Sequence, residues 1–122
     1  MWEGHSTIIK EIADKYQSHK TKPIFQKKPD VLITVVGGGG LLTGILVGMH
    51  SVGWSDVPII AAETDGAHSF HESVKNNKLI TLPAITSIAK TLGAKTVCAE
   101  VIILFFYYFD FFLFLVDYFV VY

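Results

Sequence analysis

The stretch from Val31 to Val52 decides the fold, and it reads VLITVVGGGGLLTGILVGMHSV. Its first part, Val31 to Val36, is short, apolar and β-branched, which is typical of a central parallel strand buried on both faces. Four glycines end this strand, and Leu41 to Val52 then has the composition of a helix. One face of this helix carries small residues that permit close packing on a neighbouring element, namely Gly40, Gly44 and Gly48.

The glycine loop, Gly37 to Gly40, predicts an anion cradle. Its main-chain N–H groups lie at the positive end of the helix that follows, and no Cβ obstructs an approaching phosphate. The loop is not a dinucleotide fingerprint, since Thr43 stands where the last glycine would be, and no Gly-Lys-Ser/Thr closes it as in a P-loop. The alternative is a turn without a ligand, but its place between a strand and a helix favours phosphate.

The segments on either side extend an alternating pattern. Glu3 to Gln17 has the apolar spacing of an amphipathic helix, Ile59 to Ala62 is a second apolar strand, and Ser69 to Asn76 is a short helix. The order helix, strand, helix, strand, helix predicts an α/β fold, with a parallel sheet and covering helices.

Composition excludes several classes of function. The net charge is −1, there is no arginine, and the lysines are scattered apart from a loose group between Lys20 and Lys28, so nucleic-acid binding is not expected. The single Cys98 cannot form an internal disulfide or a Cys-rich zinc site. The N-terminus lacks the layout of a secretory signal, and the cytosol is the expected compartment.

Residues 101–122 differ from the rest because they are almost wholly apolar and rich in aromatic residues. Such a stretch is long enough to cross a bilayer core of about 30 Å, yet Asp110 and Asp117 interrupt it. The same composition is typical of an aggregation-prone β segment. We therefore divide the chain into residues 1–100 and an apolar tail, 101–122, which is a membrane anchor or a sequence without an evolved function.

Several short stretches within residues 2–100 resemble the serine/threonine dehydratase family of pyridoxal-phosphate (PLP) enzymes. They are Trp2–His5, Gly37–Leu41, Val52–Pro58, Glu63–Thr64 with Gly66–His71, and Leu82–Pro83 through Lys95–Val97. The resemblance implies the fold type II, or tryptophan synthase β-like, architecture of PLP enzymes. It also implies a homodimeric cytoplasmic lyase of amino-acid catabolism and gluconeogenesis that converts L-serine to pyruvate and ammonia.

The resemblance further implies which residues bind ligands. By this resemblance, the phosphate of PLP is bound by the main-chain N–H groups of Gly37, Gly38, Gly39, Gly40 and Leu41. By the same resemblance, a monovalent cation such as potassium is coordinated by oxygen atoms of Gly37, Glu63, Ala67, Leu92 and Ala94. For Glu63 the alternative, without the resemblance, is a solvent-facing carboxylate at a strand end.

The family's catalytic lysine is missing from this sequence. It holds PLP as a Schiff base within a Ser-x-Lys-x-Arg-Gly segment, and Ser18-His19-Lys20 lacks the Arg-Gly. We therefore expect no catalytic residue in this chain and a negligible dehydratase rate. The alternatives are a non-catalytic phosphate-binding or dimerising module and a membrane-anchored relic.

The histidines and the cysteine are expected to have structural roles. His68 and His71 are three residues apart, a spacing compatible with a metal, but no third ligand is apparent. Cys98 is expected to be a small buried residue.

Overall fold

A computed structural model describes residues 2–18 and 28–108. It contains, in chain order, α1 (Trp2–Ser18), β1 (Leu32–Val35), α2 (Gly40–Ser51), β2 (Ile59–Ala62), α3 (Ser69–Lys75) and α4 (Ala99–Tyr108). The predicted order of the first five elements is confirmed, and their limits agree with the predicted ones to within a residue or two. The segment Ser18-His19-Lys20 extends beyond the described residues.

The two strands form a parallel pair in which Leu32 lies opposite Ile59 and Val35 opposite Ala62. The Leu32 N–H donates to the Pro58 carbonyl, and the Val36 N–H donates to the Ala62 carbonyl, each at 2.9 Å. Parallel neighbours require a crossover connection, and α2 provides it. Consequently the residues that follow the two strands, Gly37 and Glu63, lie at the same edge of the sheet.

One expectation for β1 is wrong, because the strand is buried on one face only. Thr34 is buried, whereas Ile33 is 70% and Val35 64% exposed. The physical reason is that the helices of the described residues cover only one side of this two-stranded sheet. Side chains alternate between the faces of a strand, so every second residue of β1 points away from the core.

The helices α1 and α2 pack closely, as the small-residue face predicts. A Cβ atom on Gly44 would lie 2.3 Å from the His5 Cβ, and one on Gly48 would lie 2.8 Å from the Ile9 Cβ. Next to this contact the His5 Nδ1 lies 3.2 Å from the Gly40 carbonyl oxygen. Packing on α1 therefore holds the start of α2 as well as its middle.

The helix α4 belongs to the core. Val101, Ile102 and Phe105 are buried, and the Phe105 ring makes an edge-to-face contact with Phe70 at a centroid distance of 5.6 Å. This helix runs through the predicted boundary at residue 100, so the first residues of the apolar tail are part of the fold. No helix within residues 2–18 and 28–108 is both long and apolar enough to cross a membrane. Residues 109–122, which carry most of the membrane hypothesis, lie outside the described residues.

An irregular segment, residues 76–98, connects α3 to α4. The Leu82 N–H donates to the Lys95 carbonyl at 2.8 Å, and the Thr86 N–H donates to the Gly66 carbonyl at 2.9 Å. The first bond closes the segment on itself, and the second ties it to the turn that follows β2. It thereby brings Leu92 to the edge of the sheet where the glycine loop begins.

Candidate phosphate-binding site

The glycine loop ends in an uncapped helix. Gly39 is the N-cap of α2, with a φ of 89°, and as a glycine it has no side chain to cap the first N–H groups of the helix. The first main-chain bond of the helix runs from the Thr43 N–H to the Gly39 carbonyl at 2.9 Å. The N–H groups of Gly40 and Leu41 therefore have no acceptor within the helix, as at any helix start. They form the positive end of the helix dipole.

The two sides of the loop differ in crowding. A Cβ on Gly38 would meet nothing within 4 Å, whereas one on Gly39 would lie 2.9 Å from Val101 Cγ1 and 3.1 Å from Cys98 Sγ. The positive φ of Gly39 also disfavours any residue with a side chain. Gly39 is thus required by packing against α4, and the open side of the loop is at Gly38.

Two carbonyl groups of the loop are held by the protein itself. The Cys98 N–H donates to the Gly38 carbonyl at 2.9 Å. The Thr43 hydroxyl donates to the Gly39 carbonyl, also at 2.9 Å. The peptides of the loop are trans, so the N–H groups of Gly39 and Gly40 point away from these two engaged carbonyl oxygens. That arrangement fits a phosphate group, which carries only acceptors.

Glu63, directly after β2, is a buried carboxyl group. Its Oε1 accepts the Phe70 N–H at 2.9 Å and its Oε2 accepts the His71 N–H at 2.7 Å, so it binds the start of α3. Burial raises its pKa from 4.5 to about 7, although these two hydrogen bonds act in the opposite direction. The alternative of a solvent-facing carboxylate is therefore wrong, since only 9% of the residue is exposed.

The structure brings together most residues of the predicted cation site. A Cβ on Gly37 would lie 2.9 Å from the Leu92 carbonyl oxygen, and one on Gly93 would lie 3.0 Å from the Ala67 carbonyl oxygen. Glu63 and Leu92 line one cavity of about 290 Å³. Ala94 is half-buried beside Gly93. Carboxylate and carbonyl oxygens are the ligands that hard cations prefer.

The cavity opens on the exposed face of the sheet. The residues that line it are mainly apolar: Ile33, Val35, Val36, Ala62, Glu63, Thr64 and Leu92. The Thr64 hydroxyl is buried and has no hydrogen-bond partner within the described part of the chain. Because Glu63 faces these apolar side chains, water solvates its charged form poorly, which explains the direction of its pKa.

The two histidines beside this site both lie near the Glu72 carboxylate, and His68 also lies 3.9 Å from Asp65. His68 Nε2 and His71 Nε2 lie 3.9 and 4.0 Å from the Glu72 Oε1, and His68 Nδ1 accepts the Gly66 N–H at 3.2 Å. Within residues 2–18 and 28–108 no group of three or more His, Cys, Asp or Glu side chains is placed to hold a metal ion.

Three features of the site were not apparent from the sequence. They are the Thr43 hydroxyl bond, the Cys98 main-chain bond and the binding of Glu63 to the start of α3. Only the first has a local signal, because a threonine four residues after a loop carbonyl commonly donates back to it. Cys98 is half-buried rather than fully buried, and its Sγ lies 3.6 Å from the Thr43 Oγ1.

A glycine-rich loop between a parallel strand and a helix is typical of cofactor-binding α/β domains. A family model for pyridoxal-phosphate dependent enzymes matches residues 1–113, and the chain belongs to this family. The match extends past the predicted boundary at residue 100, in agreement with the packing of α4.

The similar proteins include L-serine dehydratase/L-threonine deaminases. The chain is 50% identical over 106 residues to the L-serine dehydratase/L-threonine deaminase of Mus musculus, covering 87% of this chain and 30% of that protein. It is 47% identical over 100 residues to the human serine dehydratase-like protein, covering 82% of this chain and 28% of that protein. The chain therefore spans less than a third of the length of these relatives.

Solved structures agree on the fold. The fungal L-serine ammonia-lyase from Rhizomucor miehei matches with a TM-score of 0.69 at 38% identity, over 84% of this chain and 30% of that one. Maize serine racemase matches with a TM-score of 0.72 at 24% identity, over 93% of this chain and 32% of that one, and this likeness concerns the fold alone. The fold is thus part of PLP fold type II.

Proposed function

We propose that this chain supplies the phosphate-binding part of a PLP-dependent L-serine/L-threonine dehydratase. The observation that carries the proposal is the glycine loop, in which Cys98 and Thr43 engage the Gly38 and Gly39 carbonyl groups and a Cβ on Gly38 would meet nothing within 4 Å. The proposed ligands of the phosphate are the main-chain N–H groups of Gly37, Gly38, Gly39, Gly40 and Leu41. The mammalian relatives named above support the substrate class.

When bound, PLP supplies the electron sink for removal of the α-proton and the β-hydroxyl of serine or threonine. The part of this chain is to hold and orient the cofactor. The loop N–H groups would donate hydrogen bonds to the phosphate, and Gly39 lets α4 pack directly beneath the loop. A held phosphate would anchor one end of the cofactor, and such positioning is part of what a protein contributes to catalysis.

We also propose the monovalent cation site on Gly37, Glu63, Ala67, Leu92 and Ala94. Its support is the juxtaposition of the Leu92 carbonyl with Gly37 and the buried Glu63 carboxyl. A bound cation would favour the ionised form of Glu63, which burial disfavours. Such a cation would fix the turn after β2 against the glycine loop.

By itself, the chain of 122 residues is proposed to be non-catalytic, because no segment in it carries the Schiff-base lysine of the family. The intact enzyme would be a cytoplasmic homodimer that acts in amino-acid catabolism and gluconeogenesis. A second candidate function is a non-catalytic phosphate-binding or dimerising module, favoured by the intact loop in a sequence without that lysine. Membrane attachment through residues 101–122 is a third, and resistance of membrane association to carbonate washing would test it.

The test is a titration of the chain with PLP and with inorganic phosphate, in which binding is detected by changes in the NMR chemical shifts of the main-chain amides. We expect the largest shift changes at residues 38–41. In Gly38→Val the Cβ atom has room in the folded protein, and the side chain would stand where the anion is proposed to approach. Because this side chain blocks the anion, it should weaken phosphate binding about tenfold or more. A tenfold loss of affinity corresponds to about 1.4 kcal/mol.

A matched control is Gly4→Ala, since a Cβ at Gly4 also meets nothing within 4 Å but lies in α1. It should leave phosphate binding unchanged. Shift changes scattered over the molecule, or equal affinities for Gly38→Val and the unmodified chain, would show that the loop is not the binding site.

A further inference from the structure

Thr43 makes two hydrogen bonds to one carbonyl group of the glycine loop. Its main-chain N–H and its side-chain Oγ1 each lie 2.9 Å from the Gly39 carbonyl oxygen. The residue is only 2% exposed, so its hydroxyl group has no water to bond with instead. The second bond is therefore a fixed feature of the folded loop rather than one of several alternatives.

The direction of the Gly39 carbonyl group determines the direction of the Gly40 N–H group, because both belong to one planar peptide. The described peptides are all trans, so a carbonyl and the next N–H point in opposite directions. Because the Gly39 carbonyl points into α2 toward Thr43, the Gly40 N–H points out of the helix start. By the same rule the Gly39 N–H points away from Cys98, whose main-chain N–H holds the Gly38 carbonyl.

We propose that Thr43 is a positioning residue of the phosphate loop, which acts by fixing the Gly39 peptide so that the Gly40 N–H faces the phosphate. The inference rests on the proposed function, since it concerns the same loop. Glycine has more backbone conformations than other residues, so a four-glycine loop loses much conformational entropy when it is ordered around an anion. A loop fixed in advance binds more tightly because this loss has already occurred on folding.

The contact with Cys98 strengthens this assignment. The only hydrogen of the Thr43 hydroxyl is engaged by the Gly39 carbonyl, so in the 3.6 Å contact the Cys98 thiol is the donor. The resulting chain runs from the thiol through the hydroxyl to the loop carbonyl. Hydrogen bonds in such a chain polarise and strengthen one another.

The competing explanation is purely structural. Threonines within helices often donate to the carbonyl four residues before them, with no consequence for a ligand. If Thr43 positions the loop, removing its hydroxyl should lower the phosphate affinity of the folded protein, and a serine at this position should preserve that affinity. If its role is purely structural, removing the hydroxyl should change only the free energy of unfolding. The experiment must therefore measure both quantities in the whole chain.

The decisive variant is Thr43→Val, which preserves the shape of the side chain and removes the hydroxyl. With inorganic phosphate as the probe and amide shifts as the readout, we expect its affinity to fall about 5-fold, the effect of one ordinary hydrogen bond. The Gly39 and Gly40 amide signals should also move in the phosphate-free protein. Thr43→Ser keeps the hydroxyl and should restore the affinity of the unmodified chain.

Thr34→Val is the matched control, because Thr34 is also buried and its hydroxyl also contacts a main-chain carbonyl, that of Val35. Urea unfolding of all variants separates stability from binding, and phosphate affinity should be unchanged in Thr34→Val. If Thr43→Val binds phosphate as the unmodified chain does, or if Thr43→Ser binds as weakly as Thr43→Val, the positioning role is refuted while the proposed function stands. If the unmodified chain does not bind phosphate, the proposed function fails, and the inference fails with it.

Discussion

Raising the pH from 5 to 8 should destabilise this fold, and Glu63 should be the cause. Its pKa is about 7 in the folded protein, against an ordinary value of 4.5. A raised carboxyl pKa means that the folded state holds the proton more tightly than the unfolded chain. Glu63 therefore stabilises the fold fully below pH 4.5, and this contribution is lost as the pH rises through 7.

The size of the effect follows from the two values. The difference between 4.5 and about 7 corresponds to about 3 kcal/mol at about 1.4 kcal/mol for each tenfold change in proton affinity. This is a large part of the net stability of a small domain, which is about 5–15 kcal/mol. Glu63 is nearly fully buried, so screening by solvent does not reduce the effect much.

The assay is urea unfolding at pH 5 and pH 8, monitored by tryptophan fluorescence, to which Trp2 in α1 and the buried Trp54 contribute. Glu63→Gln should abolish most of the difference between the two pH values because the amide does not titrate. At pH 5 this variant should also be less stable, since one of the two N–H groups at the start of α3 loses its acceptor. Asp56→Asn is the control, as Asp56 is exposed and a hydrogen bond from Lys28 lowers its pKa.

A further arm connects the pH effect to the cation site. At pH 8 potassium chloride should restore part of the lost stability and choline chloride should not, because only the small cation can reach buried oxygens. If Glu63→Gln lost as much stability between pH 5 and pH 8 as the unmodified chain, the burial of Glu63 would not explain the pH dependence and the reasoning would be wrong.

Three further predictions concern packing and catalysis. Gly44→Ala should destabilise the fold by roughly 1–3 kcal/mol by forcing α1 away from α2, while Gly4→Ala should be neutral or stabilising, as thermal unfolding will show. Phe105→Ala should cost about 3–5 kcal/mol in urea unfolding, against well under 1 kcal/mol for the half-exposed Phe106→Ala, if α4 belongs to the core. The unmodified chain with PLP and L-serine should release no pyruvate above the background of free PLP in a coupled lactate dehydrogenase assay, and a clear excess would overturn the prediction.

Local patterns in this sequence determine most of the element limits. Ile59 to Ala62 forms a strand as predicted, because a β-branched apolar run is bounded by Pro58 on one side and a polar turn on the other. The close approach of α1 and α2 also follows from a local feature, the small residues on one face of α2. In each case the deciding interactions lie within the segment itself or depend only on the size of its side chains.

The site was less accessible to such reasoning because its contacts join distant segments. The Cys98 N–H that holds the Gly38 carbonyl comes from 60 residues further along the chain. The pKa of Glu63 depends on which apolar side chains surround it, and nothing in its own neighbourhood of the sequence indicates that. The resemblance to dehydratases pointed to Glu63 as a ligand, whereas its binding to the start of α3 required the three-dimensional arrangement.

The wrong expectation for β1 is informative in its own right. Ile33 and Val35 point away from the core, and an ordinary one-sided sheet would place polar residues there. Their apolar character is that of a strand covered on both faces, as parallel strands in α/β proteins normally are. The mouse relative is more than three times as long as the region matched here, since the chain spans 30% of it. We therefore expect the face formed by Ile33 and Val35 to pack against a further layer of structure.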